Sequence, residues 1–214
     1  KNGAIVHYRA INESCKNINR KDIFLCDSGG QYRYGTTDVT RTICFSEPSQ
    51  NIKNIFTYVL KGHIAVATTD VKKYNIGKKI DLRARKYLKQ HNLDYSHGTG
   101  HGVGFFLNVH EGPQSISKIN KVKIKEGMIL SNEPGYYKKN RFGIRIENLV
   151  YVKKTNKKIF FENLTLAPIE KDLINFKLLT SLEKNYLFKY HLNVYSSISK
   201  YLNLKERKWL TTFI

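Results

Sequence analysis

The sequence predicts an α+β fold in which a mainly antiparallel sheet is covered by helices. Three observations carry that reading. Residues 22–45 hold two β-rich runs separated by a Gly- and Thr-containing turn, the pattern of an antiparallel pair. Residues 128–169 add further apolar runs, broken by Pro134-Gly135 and by a polar turn over residues 153–158. Between and after these regions, apolar residues recur at helical spacing.

Gly3 to Arg9 is a β-branched run expected to form a strand with His7 near its end. A lone histidine on a strand is ordinarily structural. Asp22-Ile23-Phe24-Leu25-Cys26-Asp27 reads as a second strand, ending on a carboxylate and running into a turn from Ser28 to Tyr32. Its partner is expected to start at Asp38 and continue to Phe45, so Asp27 and Asp38 fall on adjacent strands. Two acids in a half-buried sheet repel each other and are poor strand formers. A bound cation compensates for them directly; the alternative is that one faces solvent or pairs with Arg41.

Glu47-Pro48 opens a helix, with Pro suited to its first turn, and Ile52, Ile55, Phe56, Val59, Leu60 and Ile64 form its apolar face. A second helix is expected from Asp81, as N-cap, to Gln90. His63 and His91 read as packing or surface residues. The stretch Ser96-His97-Gly98-Thr99-Gly100-His101-Gly102-Val103-Gly104 then leads to His110, placing three histidines within fourteen residues. Its glycines permit tight bends and leave room beside the imidazoles, as in a loop that holds a metal or a substrate; the alternative is an ordinary surface turn, and acidic partners elsewhere in the chain decide between them.

Met128 to Tyr137 is read as a strand that delivers Glu133 just before a Pro-Gly break. Arg141 to Val152 alternates so that Arg145 and Glu147 share one face, opposite Ile144 and Ile146. A last strand covers 159–169. Thr180 and Glu183 have capping-box spacing, followed by a stripe of Leu182, Tyr186, Leu187, Tyr190, Val194, Ile198, Tyr201 and Leu202 and a short closing helix with Trp209. That stripe reads as core, with a subunit contact in a homodimer as its second reading. The chain is therefore divided into a main domain at 1–170 and a C-terminal helical extension at 171–214.

Composition narrows the function classes. With 214 residues, 41% of them hydrophobic, the chain can build one sizeable core. No apolar run approaches the roughly 20 residues of a membrane-spanning helix. The three cysteines lack metal-site spacing, which argues against a thiolate zinc site and favours free thiols in a reducing, cytoplasmic setting. The net charge of +20 raises nucleic acid as a partner, but the lysines are scattered in pairs such as Lys72-Lys73 and Lys157-Lys158, as on a solvated surface.

Asp27, Asp38, Glu133 and Glu147 thus stand at strand ends or on sheet faces, with His101 in the glycine-lined stretch. Oxygen-rich donors with one imidazole suit manganese, cobalt or zinc. Four negative charges balance two divalent ions, and such a pair can activate a hydroxide and polarise a carbonyl together. That chemistry is hydrolysis, most simply of an amide.

These five residues lie in the settings Asp-Ser-Gly-Gly-Gln-Tyr, Gly-Thr-Thr-Asp-Val-Thr-Arg-Thr, His-Gly-Thr-Gly-His-Gly-Val-Gly, Asn-Glu-Pro-Gly-Tyr-Tyr and Gly-Ile-Arg-Ile-Glu-Asn. In these the chain resembles the catalytic domain of Xaa-Pro aminopeptidases (aminopeptidase P), which share the pita-bread fold with prolidase and methionine aminopeptidase. The resemblance covers nearly the whole chain, helical extension included. It implies a curved, mainly antiparallel sheet and two metal ions, usually manganese. Asp27 would serve one ion, His101 and Glu133 the other, with Asp38 and Glu147 bridging both. It further implies that Glu133 manages the proton of a bridging water, that His97 and His110 hold the substrate and steady the tetrahedral intermediate, that His7 is a pocket histidine, and that Arg145 orients the acids. The implied substrates are peptides with proline second, from which the first residue is removed. Alternatives are a prolidase acting on Xaa-Pro dipeptides, or a non-enzymatic pita-bread relative that binds RNA or protein. The family's N-terminal domains are not in this sequence and are expected elsewhere, as a separate chain or a further segment. The cytosol is the expected location, with an acidic protein-degrading vacuole as a second.

Overall fold

The computed structural model describes residues 2–106 and 108–214. Lys1 and Leu107, the latter within the run between Gly104 and His110, lie outside the described residues. The expected opening strand does not form. Residues Asn2–Ala4 make a 3-10 turn, and His7 takes a left-handed φ of 58°. Ile5 and Val6 favour a strand only if a ladder receives them. Here the Ile5 N–H bonds Asn2 O and the Tyr8 N–H bonds Ile5 O, closing local turns instead.

Strands β1 (Ile23–Tyr32) and β2 (Gly35–Cys44) form an antiparallel hairpin around Arg33-Tyr34. The turn expected at 28–32 is strand, because Gly29 fits where a β-carbon would meet Thr37 O at 2.6 Å. Asp27 pairs with Thr40 and Gly29 with Asp38, so the two acids lie diagonally on one face with Thr40 between them.

Helix α1 (Gln50–Ala67) is N-capped by Ser49, which leaves Pro48 just outside its first turn. Helix α2 (Gly77–Lys89) begins before Asp81, which is a buried interior residue rather than the cap. Asp81 reads as a cap from its type, but Arg85 one turn later holds its carboxylate inside the helix at 2.8 Å.

The main sheet has the order β4-β3-β5-β8-β9, built from β3 (Gly100–Val103), β4 (His110–Ile116), β5 (Ile129–Asn132), β8 (Asn148–Lys154) and β9 (Ile159–Asn163). A separate ladder pairs β6 (Gly135–Lys138) with β7 (Phe142–Arg145). The expected strands 128–137 and 141–152 are therefore each split. Pro134 has no N–H for a ladder, the Ile146 N–H bonds Pro134 O, and the Glu147 N–H crosses to Thr40 O of β2. Both breaks fall beside a carboxylate, Glu133 or Glu147. β9 ends at Asn163, and the following carbonyls are used by Arg41 instead.

Val66, Ile80 and Ala84 of the first two helices pack on Ile116, Leu130, Val150 and Phe161 of the sheet. A second cluster joins Phe56 and Leu60 of α1, Ile144 and Ile146, and the last helices α3 (Ser181–Ile198) and α4 (Leu204–Thr211) through Leu187, Tyr190, Val194 and Leu210. The capping box at Thr180 and Glu183 is formed. Of the expected stripe, Leu182 and Tyr201 are exposed and not core. Among the described residues no helix is long and apolar enough to cross a membrane.

Two histidines are buried neutral. Burial, helped by the nearby Arg41 charge, lowers His63 to about 3 and His191 to about 4. The His191 Nε2 accepts the Ile169 N–H at 3.0 Å, a bond that protonation removes. Their folded pKa values lie below the unfolded value of about 6.5, so this stability is present above pH 6.5 and is lost as pH falls towards 4. His191→Gln is expected to reduce the pH slope of unfolding free energy between pH 6 and 4.5 by about 1 kcal/mol per pH unit. Denaturant titrations across that range check it, and an unchanged slope would contradict it.

Candidate metal centre

The five predicted ligands converge. Ligand atoms of His101, Glu133 and Glu147 lie within 4.8 Å of one another, as do those of Asp27, Asp38 and Glu147. Glu147 belongs to both groups. A third grouping joins Asp38, His101 and His110, so His110 is nearer the acids than a distant substrate contact would be.

Each residue is placed by its backbone. His101 is on β3, not in a loop, and the glycines beside it serve strand packing. A β-carbon on Gly100 would lie 2.0 Å from Ser131 O, and one on Gly102 would lie 2.0 Å from Glu111 O. His101 Nε2 is 3.4 Å from both Asp38 Oδ2 and Glu133 Oε1. Ser131 accepts the His101 N–H at 2.9 Å and donates to Glu133 Oε1 at 3.0 Å. Glu147 is 2% exposed, and Thr40 donates to its Oε2 at 2.6 Å.

Arg145, 4% exposed, is the counter-charge. It donates to Asp27 Oδ2 at 2.5 Å, to Thr40 Oγ1 at 3.0 Å and to Tyr137 Oη at 2.9 Å. Arg41 does not pair with either aspartate. Its six bonds go to carbonyl, amide and phenol oxygens. His97 bonds Gly98 O and Tyr137 Oη, so both its ring nitrogens have partners within the chain. The His110 ring lies 4.0 Å from that of His101 and 5.9 Å from that of His7.

The electrostatics show too little positive charge for the acids. Burial pushes Glu147 up, and the charges of Glu133 and Asp38 push it further. Burial also raises Glu133, against the pull of His101 and Arg145. For His101, burial opposes the charged form, but the Asp38 bond and the Glu133 field outweigh it and raise the pKa. His110 is lowered by burial and then by His101, and His97 falls to about 4, chiefly through burial. A divalent cation reverses the carboxylate shifts by supplying the missing charge. Oxygen donors with one or two imidazoles fit a hard or borderline ion, and Cys26, next to Asp27 on β1, points to the other face.

Sequence reasoning missed Thr40, Ser131 and Tyr137. Thr40 had a usable signal, since it stands two residues after Asp38 and shares its face. Ser131 and Tyr137 become visible only once the breaks at 133–134 and 146–147 fold their segments over the acids.

Comparison with known proteins agrees with this geometry. Residues 1–154 match the model of metallopeptidase family M24, and residues 158–212 match that family's C-terminal region. A Laccaria bicolor protein described as a probable Xaa-Pro aminopeptidase P is 46% identical over 98% of this chain and 35% of its own length. An X-prolyl aminopeptidase from Caenorhabditis elegans, described as a cytosolic enzyme with a di-nuclear active site, superposes with a TM-score of 0.91 at 36% identity, over 99% of this chain and 36% of that one. Prolidase from Pyrococcus furiosus gives a TM-score of 0.67 at 30% identity, over 76% of this chain and 46% of that one. The chain thus spans about a third of the length of the curated relatives it matches. The matched span and the assembled donors together establish that the chain belongs to metallopeptidase family M24.

Proposed function

We propose that the chain carries the catalytic centre of a dinuclear-metal aminopeptidase that removes the first residue of peptides with proline second. The observation that carries this reading is the shared Glu147, a buried carboxylate common to two ligand groupings that otherwise draw on Asp27 with Asp38 and on His101 with Glu133. We assign Asp38 as the second bridging residue, since it also lies within reach of His101. Two divalent ions held there, manganese before zinc or cobalt, would lower the pKa of a water and polarise the scissile carbonyl.

The chain's own groups do the rest. Glu133 receives the proton of the attacking water, with Ser131 holding its carboxylate through Oε1. Arg145 and Thr40 hold the aspartate and Glu147 carboxylates in place. His7 and His110 meet beside the acids and hold the peptide, and His97, with both nitrogens committed, contributes ring surface. We read 1–170 as the catalytic domain and 171–214 as the extension; the separate family model for the C-terminal region starts earlier, at 158. The cytosolic description of the Caenorhabditis elegans enzyme supports a cytosolic location, and we read the assembly as a homodimer.

Prolidase is the second reading, because prolidases share the fold at 30–32% identity. Hydrolysis of a Xaa-Pro-Xaa tripeptide against a Xaa-Pro dipeptide separates the two. Release of the first residue from the tripeptide is expected. Strict preference for the dipeptide would select prolidase.

A further inference from the structure

Behind Glu147, on the side away from Asp27, lies a polar network that neither metal binding nor proton transfer uses. Arg41 donates to Glu147 O at 2.5 Å and to Thr40 O at 2.8 Å, the backbone of two residues whose side chains meet in the centre. The same guanidinium bonds Pro168 O at 2.8 Å, Ala167 O at 2.7 Å and Asn148 Oδ1 at 2.7 Å. Its remaining contact is Tyr190 Oη of α3, at 3.0 Å, and that hydroxyl donates to Ala167 O at 2.7 Å. One turn earlier, Tyr186 accepts from Asn163, which in turn accepts from Asn148, each at 3.0 Å. The two tyrosine rings are stacked at 6.4 Å.

None of Arg41's six acceptors is a carboxylate oxygen. Placing a guanidinium among neutral oxygens costs desolvation that an apolar side chain would avoid, so packing alone is a poor reason for this arrangement. Its geometry has another consequence. The fork spans the carbonyls of Thr40 and Glu147 and ties both to α3, so the helix fixes the direction in which the shared carboxylate leaves the backbone.

We infer that α3 is a positioning element for the metal centre, acting on Glu147 through Tyr190, Tyr186 and Arg41. This rests on Glu147 being a ligand, as proposed above. Residues outside the ligand set that orient a ligand commonly change metal affinity or activity by about 10–100-fold. The helical extension then belongs to the working parts of the site and is more than a cover.

The test is Tyr190→Phe in the full chain, which removes one hydroxyl and keeps the ring. Manganese titration at 25 °C is expected to show binding weakened about 10-fold, with kcat lowered and KM unchanged. Tyr186→Phe, which reaches Arg41 only through Asn163 and Asn148 and so stands two bonds further away, should give a smaller change of the same sign. Leu187→Ala is the comparison, since it removes packing from the same helix without touching the network. It should lower the melting temperature more than Tyr190→Phe while leaving manganese affinity at 25 °C as in the wild type. Wild-type affinity in Tyr190→Phe overturns the inference, and so does an affinity loss that simply follows melting temperature across the three variants. A wild-type protein that takes up no manganese removes the metal reading itself, and the inference with it.

Discussion

Glu133→Ala is expected to lower peptide turnover by at least about 10³-fold, because one substitution removes both a metal donor and the acceptor of the water proton. Metal content should fall with it, since the grouping of His101, Glu133 and Glu147 then has one carboxylate fewer. His101→Ala should behave similarly, because it removes the imidazole that faces Asp38 and Glu133. Steady-state hydrolysis of a Xaa-Pro-Xaa peptide and metal analysis of the same samples check both variants. Rates close to wild type in either would show that the chemistry lies elsewhere. Neither residue belongs to a hydrophobic core cluster, so folded protein is expected in each case.

The largest effect on stability is expected from Arg85→Ala. Arg85 is 1% exposed and Asp81 is fully buried, and the two are joined at 2.8 Å. The guanidinium also bonds Asp94 Oδ1 at 2.6 Å, Tyr95 O at 2.7 Å and His97 O at 2.6 Å, and stacks over the Tyr95 ring. Removing it strands the Asp81 carboxylate with Thr99 alone. Leaving one partner of a buried ion pair costs about 3–5 kcal/mol. Thermal and denaturant unfolding measure this, and a loss below about 1 kcal/mol would mean that water or a rearranged side chain compensates Asp81. Because Thr99 O accepts the Glu133 N–H at 2.8 Å, the same variant should also loosen the centre.

Much of this was legible in the sequence because polarity fought propensity at a few positions. Asp27 and Asp38 repel each other in a hairpin, and the ladder places them on one face, where Asp27 is exposed and paired with Arg145 while Asp38 is half-buried beside His101. Helical spacing located α1 and α3, and Thr180 with Glu183 marked the start of α3 correctly. The misses have physical causes. Gly29 and Gly30 suggested a turn, yet glycine also fits where two backbones approach closely, and the ladder runs through them. Gly100 and Gly102 suggest room for a ligand but make room for neighbouring carbonyls. Ile5 and Val6 promised a strand, but a strand needs a partner that periodicity cannot supply. Arg41 has the charge to partner an aspartate, but its side chain turns to the other face and reaches Tyr190, far away in sequence.

The most direct measurement is metal content of the purified protein after loading with manganese, read beside release of the first residue from a Xaa-Pro-Xaa peptide. About two equivalents per chain, with release that depends on them, is the result expected from two ligand groupings that share Glu147. A chain that remains metal-free, or that cleaves equally well after complete chelation, would contradict the dinuclear centre and leave these carboxylates without their proposed role.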